Sequence, residues 1–191
     1  MNKNELEKLF YDLVEIQSDT GTELEKDVEG FIYNWLSDLD YFKENKELFG
    51  KYQLSDDPLE RAVVWGLRKG EGPDTVILLH HHDVVDSFDY GRIREFAYSP
   101  DKLKDKISEA DINQETREDL ESGKWLFGRG TADMKAAGAI HMLLLKDYTE
   151  LEDFKGNLLF LSVPDEESLS QGAREGASLL NNLKDSMDLT I

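Results

Sequence analysis

The 191-residue sequence contains no cysteine, and that absence excludes several kinds of site at once. Without thiols the chain has no disulfide framework, no cysteine-ligated zinc, no iron–sulfur cluster and no thiol nucleophile. A chain without cysteine also agrees with a reducing compartment, and we expect a cytoplasmic protein.

Positive charge is scarce as well. The sequence has 22 Lys and Arg against 41 Asp and Glu, a formal net charge of −19. Such a chain is poorly matched to the phosphates of nucleic acids or to an anionic membrane, so we expect neither as a partner. No apolar run approaches the roughly 18 residues that would span a bilayer. The first residues, MNKNELEKLF, lack the apolar core of a signal peptide.

Amphipathic segments alternate with apolar runs along the chain. Apolar spacing predicts helices, which we place at residues 6–16, 22–36, 114–121, 134–146 and 171–183. Apolar runs predict strands at residues 62–67, 75–79 and 158–163, and the second of these reads as a central strand buried on both faces. Residues 38–60 read as a loop with a short strand. The alternation predicts an α/β three-layer sandwich, with a mostly parallel central sheet and helices on both faces.

A run of three histidines and an aspartate follows the second predicted strand, in VILLHHHDVV. Alternation along a strand places His81 and Asp83 on one side and His80 and His82 on the other. A carboxylate beside an imidazole can hold one ring nitrogen and leave the other for a metal. The alternative is that these histidines are ordinary core or edge residues.

Two further segments combine turns with acids. In FGRGTADMK, glycines lead into a predicted helix with Asp133 at its start, where simple helix capping is the alternative. In VPDEES, Asp165, Glu166 and Glu167 follow a predicted strand. Acid runs are commonly solvated surfaces, but acids crowded at a strand end repel unless a cation lies among them or one is protonated. One Glu can then bind a metal while its neighbour carries a proton.

One imidazole and several carboxylates suit Zn²⁺, Mn²⁺ or Co²⁺, and a carboxylate can bridge two such ions. Other chemistries lack their motifs: the sequence has no G-x-S-x-G, no P-loop, no H-E-x-x-H and no G-x-G-x-x-G after a strand. His141 lies within a predicted helix and is interpreted as structural.

In this order, LLHHHDVV, FGRGTADMK and VPDEES resemble the M20 family of cocatalytic zinc peptidases and N-acyl amino-acid hydrolases. The insert before DLESGKWLFGRG is most similar to the RocB-type branch, associated with arginine utilisation. The resemblance implies that His81 and Glu167 each bind one metal ion and that Asp133 bridges the two. It also implies that Asp83 orients the site, that Glu166 is the general base, and that the peptide after Asp133 is cis.

The same resemblance implies two divalent ions, zinc or else cobalt or manganese, and a small peptide or acyl-amino-acid substrate. Further family ligands come from a strand that would begin near Leu189 and from a later histidine, and neither is in this sequence. We therefore expect residues 1–191 to be the N-terminal portion of a metallohydrolase catalytic domain. The dimerisation domain would lie elsewhere, and a homodimer is possible for the full-length protein. Weak metal binding and little activity follow for this chain alone.

One position departs from the family pattern, and one alternative function stays open. Family members usually have glycine where His80 stands, which indicates a more crowded strand end or a local role for this histidine. The alternative from another functional class is a short non-catalytic module that keeps the fold for binding or assembly.

Overall fold

The computed structural model describes residues 1–109 and 112–191. Its strands form one four-stranded sheet in the order β1-β2-β4-β3, with bounds β1 Phe49–Gln53, β2 Ala62–Arg68, β3 Thr75–His81 and β4 Asn157–Val163. β1 and β4 are both antiparallel to β2, whereas β3 and β4 are parallel. The α/β class is confirmed, but among the described strands the sheet is mixed rather than mostly parallel. A short connection, such as the one between β1 and β2, favours the antiparallel arrangement.

Seven α-helices occur in the described ranges: α1 Lys3–Glu15, α2 Glu25–Ser37, α3 Asp40–Glu44, α4 Pro100–Ser108, α5 Gln114–Ser122, α6 Ala136–Thr149 and α7 Gln171–Met187. The five predicted helices are therefore present, with shifted ends. The first starts earlier than predicted because the side chain of Asn2 accepts the free N–H groups of Asn4 and Glu5 in its first turn. None of the helices in these ranges is long and apolar enough to cross a membrane.

Helices cover both faces of the sheet. Leu158 and Phe160 of β4 pack with α1, α2 and α6 on one face. Leu159, Leu161 and Val163 pack with α7 on the other face. The segment predicted to be mainly loop also contains α3, whose Phe42 is fully buried in the first core. β4 is buried along its whole length because both of its faces are covered by helices.

Among the described strands, β3 does not occupy the central position that its apolar sequence predicts. It lies at one end of the strand order, and Val76 and Leu79 are 62% and 51% exposed. Beside it the chain returns at Thr190, which forms a parallel bridge with Asp74. The strand start predicted at residues 189–191 is thus seen as a single bridge. An apolar run indicates that side chains can be buried, but it does not fix the position of the strand in the sheet.

Candidate metal centre

Three side chains from distant parts of the sequence meet at one edge of the sheet. His81 ends β3 and pairs in register with Val163, the last residue of β4, so the segments that follow both strands leave at the same edge. Asp133 lies before α6 and Glu167 lies after β4. One ligand atom from each of His81, Asp133 and Glu167 lies within 4.8 Å of the other two. We call these three residues the His81 cluster.

The His81 ring is held in one orientation. It is buried, its Nδ1–H donates to the carbonyl oxygen of Asp83 at 3.0 Å, and its Nε2 lies 3.0 Å from Oδ1 of Asp133. Burial by itself lowers the pKa of His81, but Asp83 and Asp133 outweigh it and raise the pKa to about 9. A partner on one ring nitrogen leaves the other directed at the cluster, the arrangement common for metal-binding histidines.

Asp83 joins the ends of β3 and β4. Its carboxylate is completely buried and accepts the backbone N–H groups of Glu166 at 3.1 Å and of Glu167 at 3.0 Å. Burial raises the pKa of Asp83, but the neighbouring His81 ring and the two backbone N–H donors outweigh it and lower the pKa to about 2. The carboxylate of Asp83 is 3.5 Å from the His81 ring, so its backbone carbonyl is the nearer partner of the imidazole.

Asp133 stands in a tight turn before α6. Gly130 has φ +75°, and a Cβ there would lie 2.4 Å from Val84, so both conformation and space require glycine. The Asp133–Met134 peptide is cis, as the family resemblance implies. Asp133 is not a helix cap, because α6 has no side-chain cap hydrogen bond at its start. Its side chain is instead 75% exposed to solvent, with Oδ1 3.0 Å from Nε2 of His81.

Glu166 and Glu167 add two carboxylates to the centre beside Asp133. Oε2 of Glu166 lies 3.8 Å from Nε2 of His81. Burial, together with the charge of Asp133, raises the pKa of Glu167 despite the opposing effect of His81. In the part of the chain that the structure describes, no Lys or Arg forms an ion pair with Asp133, Glu166 or Glu167. An open cleft of about 340 Å³ runs past Asp133 and Glu167.

The third acid of the VPDEES segment faces elsewhere. Asp165 accepts a hydrogen bond from Arg61, which also binds Glu25 and Asp57. We call these four residues the Arg61 cluster. The expectation that Asp165, Glu166 and Glu167 crowd together is therefore wrong for Asp165, because a positive φ of +66° at this residue turns the chain.

The rings of His80 and His82 lie on the face of the sheet that α2 and α6 cover, and His141 belongs to α6. His80 has its Nδ1 3.2 Å from Nδ1 of His141, and its ring packs against Phe160 with centroids 5.0 Å apart. Gly138 leaves space for this ring, since a Cβ there would lie 3.2 Å from it. Nδ1 of His82 contacts Oγ of Ser162 at 2.9 Å. The predicted alternation is observed, and the structural interpretation of His141 agrees with these contacts.

The sequence analysis missed the Arg61 cluster, although a signal for it was present. Glu25 and Glu29 fall on the apolar stripe of α2, each three residues before a buried aliphatic residue (Val28 and Ile32), and both are buried. A charged residue at a core position of an amphipathic helix requires a buried partner. For Glu25 that partner is Arg61, which directly precedes the buried strand β2.

Residues 105–189 match the model of the Peptidase family M20/M25/M40. Over 182 residues the chain is 35% identical to Protein RocB of Bacillus subtilis (strain 168), covering 94% of this chain and 32% of that protein. It is 36% identical over 192 residues to the uncharacterized protein YqjN of the same organism, covering 99% of this chain and 34% of YqjN. The chain thus spans about a third of the length of these relatives.

The fold also matches a solved structure. The crystal structure of human carnosine dipeptidase 1 superposes with a TM-score of 0.57 at 16% sequence identity, over 95% of this chain and 36% of that one. At this identity the likeness concerns the fold alone. The family match and the curated relatives agree with the resemblance carried by the three motifs, and the solved structure supports the fold.

Proposed function

The chain is related to the peptidases of family M20/M25/M40, and from this premise we propose that it forms part of a metal-dependent hydrolase that cleaves an amide bond. The substrate class would be a small peptide or an N-acyl amino acid. The observation that carries the proposal is the convergence of His81, Asp133 and Glu167 within 4.8 Å at the edge of the sheet.

The donor set of the His81 cluster fits a divalent ion. It offers one imidazole nitrogen and two carboxylate oxygens, a combination that suits Zn²⁺, Co²⁺ or Mn²⁺. The raised pKa of Glu167 reflects burial and the charge of Asp133, a repulsion that a bound cation would relieve. We propose that His81 would hold one ion and Glu167 a second, with Asp133 shared between them and zinc as the first choice. The remaining ligands of both ions would lie outside the cluster.

When bound, such an ion supplies Lewis acidity toward the scissile carbonyl and lowers the pKa of a nearby water. Glu166 is the proposed general base, because its carboxylate is about half exposed and lies 3.8 Å from Nε2 of His81. It would accept the proton of the attacking water and deliver it to the departing amine. Asp83 would serve both sides of the site, since it holds the His81 ring through its carbonyl and the backbone of Glu166 and Glu167 through its carboxylate.

The charge of the chain also bears on which substrates it would accept. We suggest a substrate with a basic side chain, supported by the large excess of acids and by the similarity to RocB. Asp133 and Glu167 in the open cleft are compatible with such a group, and Arg129, which lines the same cleft, is paired with Asp89.

The test compares Glu166→Gln and Glu167→Gln in the intact protein, using dipeptides and acyl-amino acids with each metal. Glu166→Gln should keep the metal content and lose about 10²- to 10⁴-fold in turnover, the usual contribution of a general base. Glu167→Gln should lose metal, measured by elemental analysis after dialysis. Glu121→Gln, on the exposed surface of α5, is the matched control.

Each outcome bears on a separate assignment. Preserved turnover in Glu166→Gln would reject its role as base. Unchanged metal content in Glu167→Gln would reject the ligand set. A protein that binds metal through these residues but hydrolyses no member of the panel would favour the non-catalytic binding module.

A further inference from the structure

Arg61 stands at the centre of a buried charge network behind the proposed metal centre. The residue is 5% exposed, and its guanidinium binds Asp57 through Nε and Nη2 at 2.9 and 3.1 Å. Its Nη1 donates both to Glu25, at 2.9 Å, and to Asp165, at 3.0 Å. Three buried carboxylates therefore surround one buried cation. A planar, multidentate guanidinium suits such a geometry better than a lysine ammonium.

The network fixes Asp165, the second residue of the β4–α7 loop, which is defined as residues 164–170. The backbone N–H of Asp165 donates to Oε2 of Glu25 at 3.0 Å. The carboxylate of Asp165 accepts the N–H of Gln171 at 3.0 Å, and its carbonyl accepts the N–H of Ser170 at 2.7 Å. Backbone and side chain of Asp165 are thus both held, which sets the direction in which the following residues leave.

Those following residues are the ones that face the metal centre. The N–H groups of Glu166 and Glu167 are held by Asp83 on the opposite side of the loop. The β4–α7 loop is therefore clamped between Asp83 and the Arg61 cluster. Glu25 extends the clamp to the turn after α1, because it also accepts the N–H of Gly21 at 2.7 Å.

We propose that Arg61 and Glu25 are positioning residues for the metal centre, acting through Asp165 on Glu166 and Glu167. The inference rests on the proposed function, because it gives the loop a role only if Glu167 binds metal and Glu166 moves a proton. Neither Arg61 nor Glu25 is assigned a contact with metal or substrate. Their effect would be to keep two carboxylates in the orientation that binding and proton transfer require.

The experiment uses two variants that weaken the clamp but keep a polar side chain of similar size at each position. Arg61→Lys keeps the buried positive charge but loses the fork that joins Glu25 to Asp165. Asp165→Asn keeps the shape and tolerates the positive φ, but removes the charge and one of the acceptors. The control is Asp56→Asn, which makes the same chemical change at an exposed residue whose φ is also positive, at +54°.

Two readouts separate positioning from simple stability. The first is amide hydrogen exchange at Glu166 and Glu167 in metal-free protein, which should accelerate roughly tenfold in both variants as the loop opens locally. The second is the affinity for Co²⁺, measured by competition with a chelator together with its visible absorption spectrum. We expect affinity to fall about 10- to 100-fold, the usual cost of losing support behind a metal ligand. Asp56→Asn should behave as the wild type in both.

The inference is overturned if the variants melt at a lower temperature while exchange at these amides and Co²⁺ affinity stay at the wild-type values. That result would make the Arg61 cluster a purely structural network. If Glu167→Gln leaves metal affinity unchanged, the proposed function fails instead. In that case faster exchange in both clamp variants would still support the positioning of the loop, and unchanged exchange would overturn it.

Discussion

The Arg61 cluster and the His81 cluster flank the same loop and differ in how their acids are balanced. Around Arg61, each of the carboxylates of Glu25, Asp57 and Asp165 has a hydrogen bond from the guanidinium. Around His81, Asp133 and Glu167 have the imidazole as a cationic neighbour, and no Lys or Arg ion pair with them occurs in residues 1–109 and 112–191.

This difference divides the acids into two kinds: acids paired with a buried cation, which we call structural charge, and acids available to a bound ion, which we call chemical charge. Buried ions whose partners lie within the protein hold the fold together, and removing one partner is costly. Acids held close together beside an imidazole, rather than beside a Lys or Arg, gain further from an ion supplied by solvent. The two clusters lie at the same edge of the sheet, so the effect of a substitution in one can be compared with its effect in the other. The following experiments make that comparison.

The largest effect is expected at the Arg61 cluster. Arg61→Met removes the cation from three buried acids and should lower the free energy of unfolding by about 3–5 kcal/mol, the usual cost of leaving a buried charge without its partner. Urea denaturation of the metal-free protein measures it. Arg92→Met, at an exposed position, is the control. A loss no greater than that of the control would show that the buried acids tolerate the missing cation, and the contrast between the clusters would disappear.

The second effect concerns the His81 cluster. Zn²⁺ at about 100 times its dissociation constant should raise the free energy of unfolding by about 2.7 kcal/mol, because the ion binds the folded state. Chelation should reverse the rise, and Glu167→Gln should abolish it. Thermal unfolding with and without metal gives the measurement. An equal rise in Glu167→Gln would place the bound ion elsewhere.

The smallest effect comes from making the same substitution in both clusters of the metal-free protein. Asp165→Asn removes the charged acceptor of the Arg61 guanidinium and of the Gln171 N–H. It should lower the free energy of unfolding by about 1–3 kcal/mol. Asp133→Asn alters a side chain that is 75% exposed. It should stay within about 0.5 kcal/mol of the wild type, as for a surface substitution. Equal losses in urea denaturation would contradict the division into structural and chemical charge.

Much of the local structure could be predicted from the sequence. Apolar spacing located the five predicted helices, because an amphipathic stripe depends only on neighbours within a few turns. The strand alternation that separates His81 from His80 and His82 is equally local. The helix ends were less well predicted, since the cap of α1 is decided by which asparagine side chain reaches the free N–H groups.

The order of the strands in the sheet could not be predicted from local sequence patterns. The apolar sequence of β3 suggested a central strand, whereas β4 occupies the position buried on both faces. Both strands have similar composition, so composition alone does not rank them. The partners of β4 are set by contacts between segments more than 80 positions apart, such as the pairing of His81 with Val163.

By itself, the sequence determined which residues are able to bind a cation, because imidazole and carboxylate chemistry belongs to the side chain, and the order of the three motifs carried the family resemblance. Only the tertiary structure decided which acid faces which cation. Asp165 and Glu167 are two positions apart, yet one is paired with Arg61 and the other faces His81. The cause is physical: a backbone turn at positive φ sends neighbouring side chains apart, and their partners come from strands that meet only when the sheet has formed.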